Sequence, residues 1–264
     1  MKKLLTGAAL AALSTGALAA DYTDGNIHKN DYSWTQFNLM LAVDEHPGGN
    51  GHHDYMSMEF GGRSGIFDLF GYVDVFNLSN RSDQDSAEKL FMKFAPRVSL
   101  DALLSQDFSM GPIQEVYLAS QMSWGGGHIG HSVNNALVGL GSDVMVPWLG
   151  KTGVNVYALY DINAKQWDGY QLSVNWFKPL HFFANNSFVS FQGYVEYQWG
   201  IDDHVKALKN DNGGNIFTGL YWHSERYAVG YGLKGYKDVY GLRDGGLAGN
   251  TTGFGHYFAV SYKF

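Results

Sequence analysis

An all-β fold is what this sequence predicts: a single-domain, antiparallel transmembrane β-barrel of about 12 strands. Three observations predict it. Apolar and polar residues alternate with period two in many segments of about ten residues, the length a tilted strand needs to cross a bilayer. Aromatic residues make up 16% of the chain, with 34 glycines, 5 prolines and no cysteine, a composition suited to strands and membrane interfaces. The chain ends in alternation closed by an aromatic residue, GFGHYFAVSYKF, the pattern of a lipid-facing closing strand.

The first 20 residues, MKKLLTGAALAALSTGALAA, carry a basic start, an apolar run from Leu4 to Leu13 and small residues at Ala17 and Ala19. This is the pattern of a signal peptide at 1–19, cut after Ala19, which leaves 20–264 as the outer-membrane barrel. The apolar run is too short for a helical anchor, which needs roughly 20 residues. Taking Lys2 and Lys3 from the 18 basic residues leaves 16 against 25 acidic ones, a formal charge of −9. That field repels phosphate backbones, so nucleic acid is not an expected partner. Without cysteine, an exported chain has no disulfides to rely on.

The strands follow in order as 34–43, 53–62, 66–77, 88–98, 112–123, 134–146, 152–162, 167–178, 187–200, 214–223, 226–236 and 254–264. The third, IFDLFGYVDVFN, alternates most clearly: Asp68, Phe70, Tyr72, Asp74 and Phe76 share one face, and Phe67, Leu69, Val73 and Val75 the other. A helical period of 3.6 fits this segment poorly. An even strand number puts both termini on the periplasmic side, where turns are short and the opposite loops long. The expected outer loops are 44–52, 78–87, 124–133, 146–151, 201–213 and 237–253. Arg63–Gly65 and Ser224–Glu225 are expected inner turns, and 99–111 is the longest inner connection.

Taking the polar face of each strand as lumenal selects Tyr55, Glu59 and Arg63, then Asp68, Phe70, Tyr72 and Asp74. It selects Lys93 and Arg97, Glu115 and Tyr117, Asn155 and Tyr157, Tyr194 and Glu196, and Arg226, Lys234 and Tyr236. Such a lumen holds aromatic rings and charges of both signs. Arg63 with Glu59, and Arg97 with Glu115, are natural ion pairs. Two histidine groups, in HPGGNGHH at 46–53 and GGGHIGH at 125–131, lie in glycine-rich stretches without cysteine or a fixed carboxylate, so no metal or other cofactor is expected. No G-x-S-x-G elbow occurs, and Ser64 in GRSG is a turn by composition, so an outer-membrane lipid enzyme is not expected.

Several longer segments resemble a known family: DYTDGNIHKNDY at 21–32, EFGGRSGIFDLFGYVDVFN at 59–77, LFMKFAPRVSLD at 90–101, GSDVMVPW at 141–148, YWHSERYAVGYGLKGYKDVYG at 221–241 and GFGHYFAVSYKF at 253–264. The chain is similar over essentially its whole mature length to the nucleoside-specific channel-forming porins called Tsx, and within them to a vibrio branch that includes a phage receptor. The resemblance implies a monomeric barrel of about twelve strands and a narrow aromatic-lined pore passing nucleosides and related small solutes down their gradient. It also implies contact with outer-membrane lipid and lipopolysaccharide, and outer loops that a bacteriophage can exploit. Two other readings stand beside it: a general small-solute or ion channel, and a recognition barrel.

Overall fold

Period-two alternation becomes a closed sheet because hydrocarbon offers no water to satisfy a free strand edge. The computed structural model describes residues 22, 24–47, 51–79, 89–126, 133–202 and 208–264. Its strands are β1 (Tyr32–Val43), β2 (His52–Ser64), β3 (Phe67–Phe76), β4 (Leu90–Ser99), β5 (Ile113–Gly126) and β6 (Asn134–Val146). They continue as β7 (Gly150–Asp161), β8 (Gln166–Phe182), β9 (Phe188–Trp199), β10 (Asn212–His223), β11 (Tyr227–Lys237) and β12 (Gly253–Lys263). Each pairs antiparallel with its sequence neighbours, and β12 pairs with β1 from Val43↔His256 to Gln36↔Lys263. The terminal Phe264 amide completes this seam by donating to the Thr35 carbonyl at 3.1 Å.

Register decides which face each side chain takes. On β12, Phe254, Phe258, Val260 and Phe264 are exposed outward while Tyr257, Ala259, Ser261 and Lys263 are buried inside. On β2 and β3, Tyr55, Ser57, Glu59 and Arg63 are cross-strand neighbours of Phe76, Asp74, Tyr72 and Asp68, so the polar face of IFDLFGYVDVF is lumenal. Outward residues such as Leu140, 61% exposed, form the lipid-facing band.

Strand parity corrects one expected loop. In an up-and-down barrel alternate connections lie at the same end, so the β6–β7 turn at 147–149 joins the termini and is not an outer loop. The short outer connection is instead β7–β8, residues 162–165. Segment 99–111 lies at the inner end as expected and folds into the helix α1 (Leu100–Leu104). The Ser99 hydroxyl caps it by accepting from the Ala102 amide at 3.0 Å. The Asp101 carboxylate accepts from the Phe108 and Val116 amides, each at 3.0 Å, tying α1 to β5. The signal peptide and most of the expected outer loops 78–87 and 124–133, with His128 and His131, fall outside the described residues, as do parts of 44–52 and 201–213.

The segment ahead of β1 folds into the inner mouth. Tyr22 is fully buried there, its ring 5.4 Å from the Arg63 guanidinium and its hydroxyl bonded by Asn30 at 3.3 Å. Burial pushes the Tyr22 phenol pKa up. Asp31 clasps the segment to the β2–β3 turn, accepting from the Gly65 amide at 2.8 Å and the Ser64 hydroxyl at 3.3 Å, with His28 at 2.8 Å. The His28 bond and then the Gly65 amide hold the Asp31 carboxyl below its ordinary range. A depressed carboxylate stabilises the folded form above the unfolded pKa, and that contribution is lost as pH falls through the folded value. The clasp is therefore expected to hold at neutral pH and loosen only below the ordinary carboxylate range. A dye on a cysteine at Asn26→Cys, in a chain with no other cysteine, should lose polarisation below about pH 4. Asp31→Asn should show the low polarisation already at pH 7; equal values for both proteins at pH 7 would exclude the clasp.

Candidate functional site

Polar side chains from six strands meet in the inner half of the lumen. Arg63 on β2 forms a two-point pair with Glu115 on β5, its Nη1 at 2.8 Å from one oxygen and its Nη2 closing on the other. Ser99 donates to the same carboxylate at 2.5 Å. Arg97 on β4 bridges Asp68 on β3, at 2.9 Å, and Asp143 on β6, at 3.1 Å, with its guanidinium 3.9 Å from the centre of the Tyr117 ring. Tyr117 donates to Asp143 at 3.0 Å, and Lys151 on β7 reaches the same carboxylate at 2.7 Å. Each charge is taken out of bulk water and answered by an opposite one, the condition under which buried charges are tolerated. The ladder fills this half of the barrel against the wall formed by β2–β7.

These partners differ from the expected ones. Arg63 meets Glu115 rather than Glu59, and Arg97 meets Asp68 and Asp143 rather than Glu115. The tilt and stagger of a barrel bring residues of non-adjacent strands to the same height, which alternation along one strand cannot reveal. Glu59 accepts instead from Gln36 at 2.8 Å. Arg226 precedes β11, is exposed and bonds the outward Tyr262 hydroxyl at 3.1 Å, so it does not line the pore.

The outer half holds a small cavity of about 40 Å³. Tyr72 and Phe91 enter it from β3 and β4, and Tyr194 and Glu196 from β9. Tyr72 and Phe91 lie 6.0 Å apart, and Phe70 and Trp34 continue the aromatic line at 6.0 and 6.3 Å. On the far wall Tyr194 stacks on Phe217 at 5.7 Å and 18°. Phe217 packs against Gly232, where any Cβ would collide with its ring. Lys93 on β4 and Glu196 on β9 are 2.5 Å apart. Four strands lie between them on one side of the closed sheet and six on the other, so this ion pair crosses the lumen and marks how narrow the passage is.

The sequence-predicted residues thus divide into groups. Arg63, Asp68, Arg97, Glu115 and Tyr117 form the inner ladder; Tyr72, Tyr194 and Glu196 line the cavity, with Phe70 next to them. Asp74 faces Ser57 across β2–β3, with one carboxylate oxygen buried and unbonded. Tyr55 packs into the wall with Phe76, Ala42 and Tyr257, and Tyr157 with Leu137, Leu159 and Ala119. Asn155 is buried inside, and Lys234 lies 4.9 Å from the Tyr236 ring. Of the described histidines in the first cluster, His46 bonds the Asn250 carbonyl at 3.1 Å and His53 pairs with Glu45 at 2.9 Å. Sequence reasoning missed Trp34, Phe91, Asp143, Phe217 and Tyr240. Asp143 had a legible signal, a charge at an alternating position of β6; Tyr240 had none, because it lies in a loop.

Comparison with known proteins gives concordant results. The family model described as nucleoside-specific channel-forming protein, Tsx, matches residues 29–264. The outer membrane protein OmpK of Vibrio parahaemolyticus is 58% identical over 268 aligned residues, covering 100% of this chain and 99% of that protein. The nucleoside-specific channel-forming protein Tsx of Klebsiella pneumoniae is 28% identical, again over 100% of this chain and 99% of its own. Among solved structures, the NanC porin superposes with a TM-score of 0.50 at 8% identity, covering 87% of this chain and all of the porin, a likeness of fold alone.

Proposed function

We propose, since the chain belongs to the family of nucleoside-specific channel-forming Tsx proteins, that its lumen passes nucleosides passively across the outer membrane. It is an outer-membrane β-barrel channel and not an enzyme; the proposal concerns what passes. One observation carries it: rings from opposite walls, Tyr72 with Phe91 and, facing them, Tyr194 backed by Phe217, stand beside the Lys93–Glu196 ion pair at one cavity.

A nucleoside is neutral, with a flat base and a ribose rich in hydroxyls. Stacking on an aromatic ring is favourable by about 1–3 kcal/mol per base and tolerates different bases. The lysine and glutamate supply a donor and an acceptor for ribose or the base edge, replacing bonds they make to each other. Because the Lys93–Glu196 pair is already satisfied, a permeant gains little net energy by exchanging into it, and weak exchange suits transport: a site that binds tightly holds its cargo.

In planar bilayers, thymidine or adenosine is expected to reduce single-channel ion current, and ribose at the same concentration is not. Equal block by base-bearing and base-free solutes, or block by neither, would leave a general small-solute channel as the better reading.

A further inference from the structure

The β11–β12 connection does not simply arch away from the barrel. It folds back onto the outer ends of β9 and β10. The Asn210 amide donates to the Gly241 carbonyl at 2.7 Å and the Arg243 amide to the Leu208 carbonyl at 2.9 Å. Gly213 on β10 admits the Asp238 carbonyl so closely that any side chain there would collide with it. Within the loop, the Asp244 carboxylate accepts from the Thr251 and Thr252 amides at 2.8 and 3.0 Å, and Thr251 donates to the Leu242 carbonyl at 2.8 Å. The loop is therefore pinned on both flanks of a short 3-10 turn, Val239–Gly241.

At the centre of that turn, Tyr240 has left-handed backbone, φ 60° and ψ 22°. A bulky aromatic residue is unfavourable there, and glycine is the residue that tolerates it. This loop uses glycine freely for the same conformation, at Gly241, Gly245 and Gly249. Asp238, two residues earlier, shares the left-handed backbone, but its short polar side chain is better suited to it than a tyrosine ring; strain held in place by surrounding bonds, as at Tyr240, is a recurrent mark of a functional position. The side chain lines the outer cavity together with Tyr72, Phe91, Tyr194 and the Lys93–Glu196 pair.

We propose that Tyr240 is a specificity-determining residue of this channel: the pinned loop presents its ring to the cavity as an aromatic surface contributed from outside the barrel wall, selecting flat solutes as they enter. This rests on the nucleoside reading above.

The test uses the full-length channel in planar bilayers, with Tyr240→Gly and Tyr240→Phe. Glycine adopts the left-handed turn without strain, so the loop keeps its path and only the ring is lost. Tyr240→Gly should weaken current block by thymidine roughly 5- to 150-fold, the span that corresponds to one lost stacking contact. Tyr240→Phe should stay within about threefold of the parent, since the ring remains. Undiminished block in Tyr240→Gly overturns the proposal. If the parent channel is not blocked by any nucleoside, the nucleoside reading fails instead. Liposome swelling with sugars of graded size then decides the residue's place: a higher size limit in Tyr240→Gly supports a ring bounding the entrance, and an unchanged limit overturns it.

Discussion

Arg97→Ala is expected to destabilise the barrel by about 3–5 kcal/mol, the cost of breaking a buried ion pair from one side. Arg97 is only 13% exposed and holds Asp68 and Asp143 together over the face of Tyr117. Its removal strips Asp68 of both guanidinium contacts, while Asp143 keeps Lys151 and Tyr117. The remaining carboxylates must then draw in water or protons, and both loosen the packing of β3, β4 and β6. Urea unfolding in detergent micelles measures the loss. Arg97→Lys keeps the charge without the planar fork and should fall between the two. A stability within about 1 kcal/mol of the parent for Arg97→Ala would mean that the ladder is hydrated rather than buried.

Removal of the Lys93–Glu196 pair should have the largest effect on conduction. The double variant Lys93→Met with Glu196→Gln keeps side-chain volume but deletes the bar of charge across the lumen. Replacing both partners of a buried pair is nearly neutral for stability, whereas Lys93→Met alone leaves a carboxylate unanswered and should cost about 3 kcal/mol or more. Ion current through the open channel should rise in the double variant, because the walls are no longer drawn together at this height. Nucleoside block should weaken in parallel, since the donor and acceptor beside the rings are gone. Single-channel recordings with heat-modifiable gel mobility as a folding control read both outcomes; unchanged current and block would show that the permeation path bypasses this pair.

How far the sequence could be read depended on whether a property is local. IFDLFGYVDVFN announces its own two faces, and the register of β2 with β3 follows once Asp68 must be inside. Asp143 could have been found by the same rule. The loop at 146–151 was misplaced by judging length alone, although counting strands from β1 would have put it with the termini. The partners of Arg63 and Arg97 were beyond any such count, because β2 to β5 and β4 to β6 come together only through the curvature of the sheet. Tyr240 was further still from reach: it carries no alternation, and its loop becomes meaningful only when it docks on Gly213.

The sequence by itself therefore determined the barrel, its twelve strands, the outward and inward faces and the closing role of Phe264, since each follows from a two-residue period and the need to satisfy every strand edge in hydrocarbon. The tertiary structure alone decided which charges pair, how Lys93 and Glu196 narrow the lumen, and how Tyr22 and Tyr240 come to occupy its two mouths. Those arrangements depend on distances across a closed, staggered cylinder, and no pattern along a single strand records them.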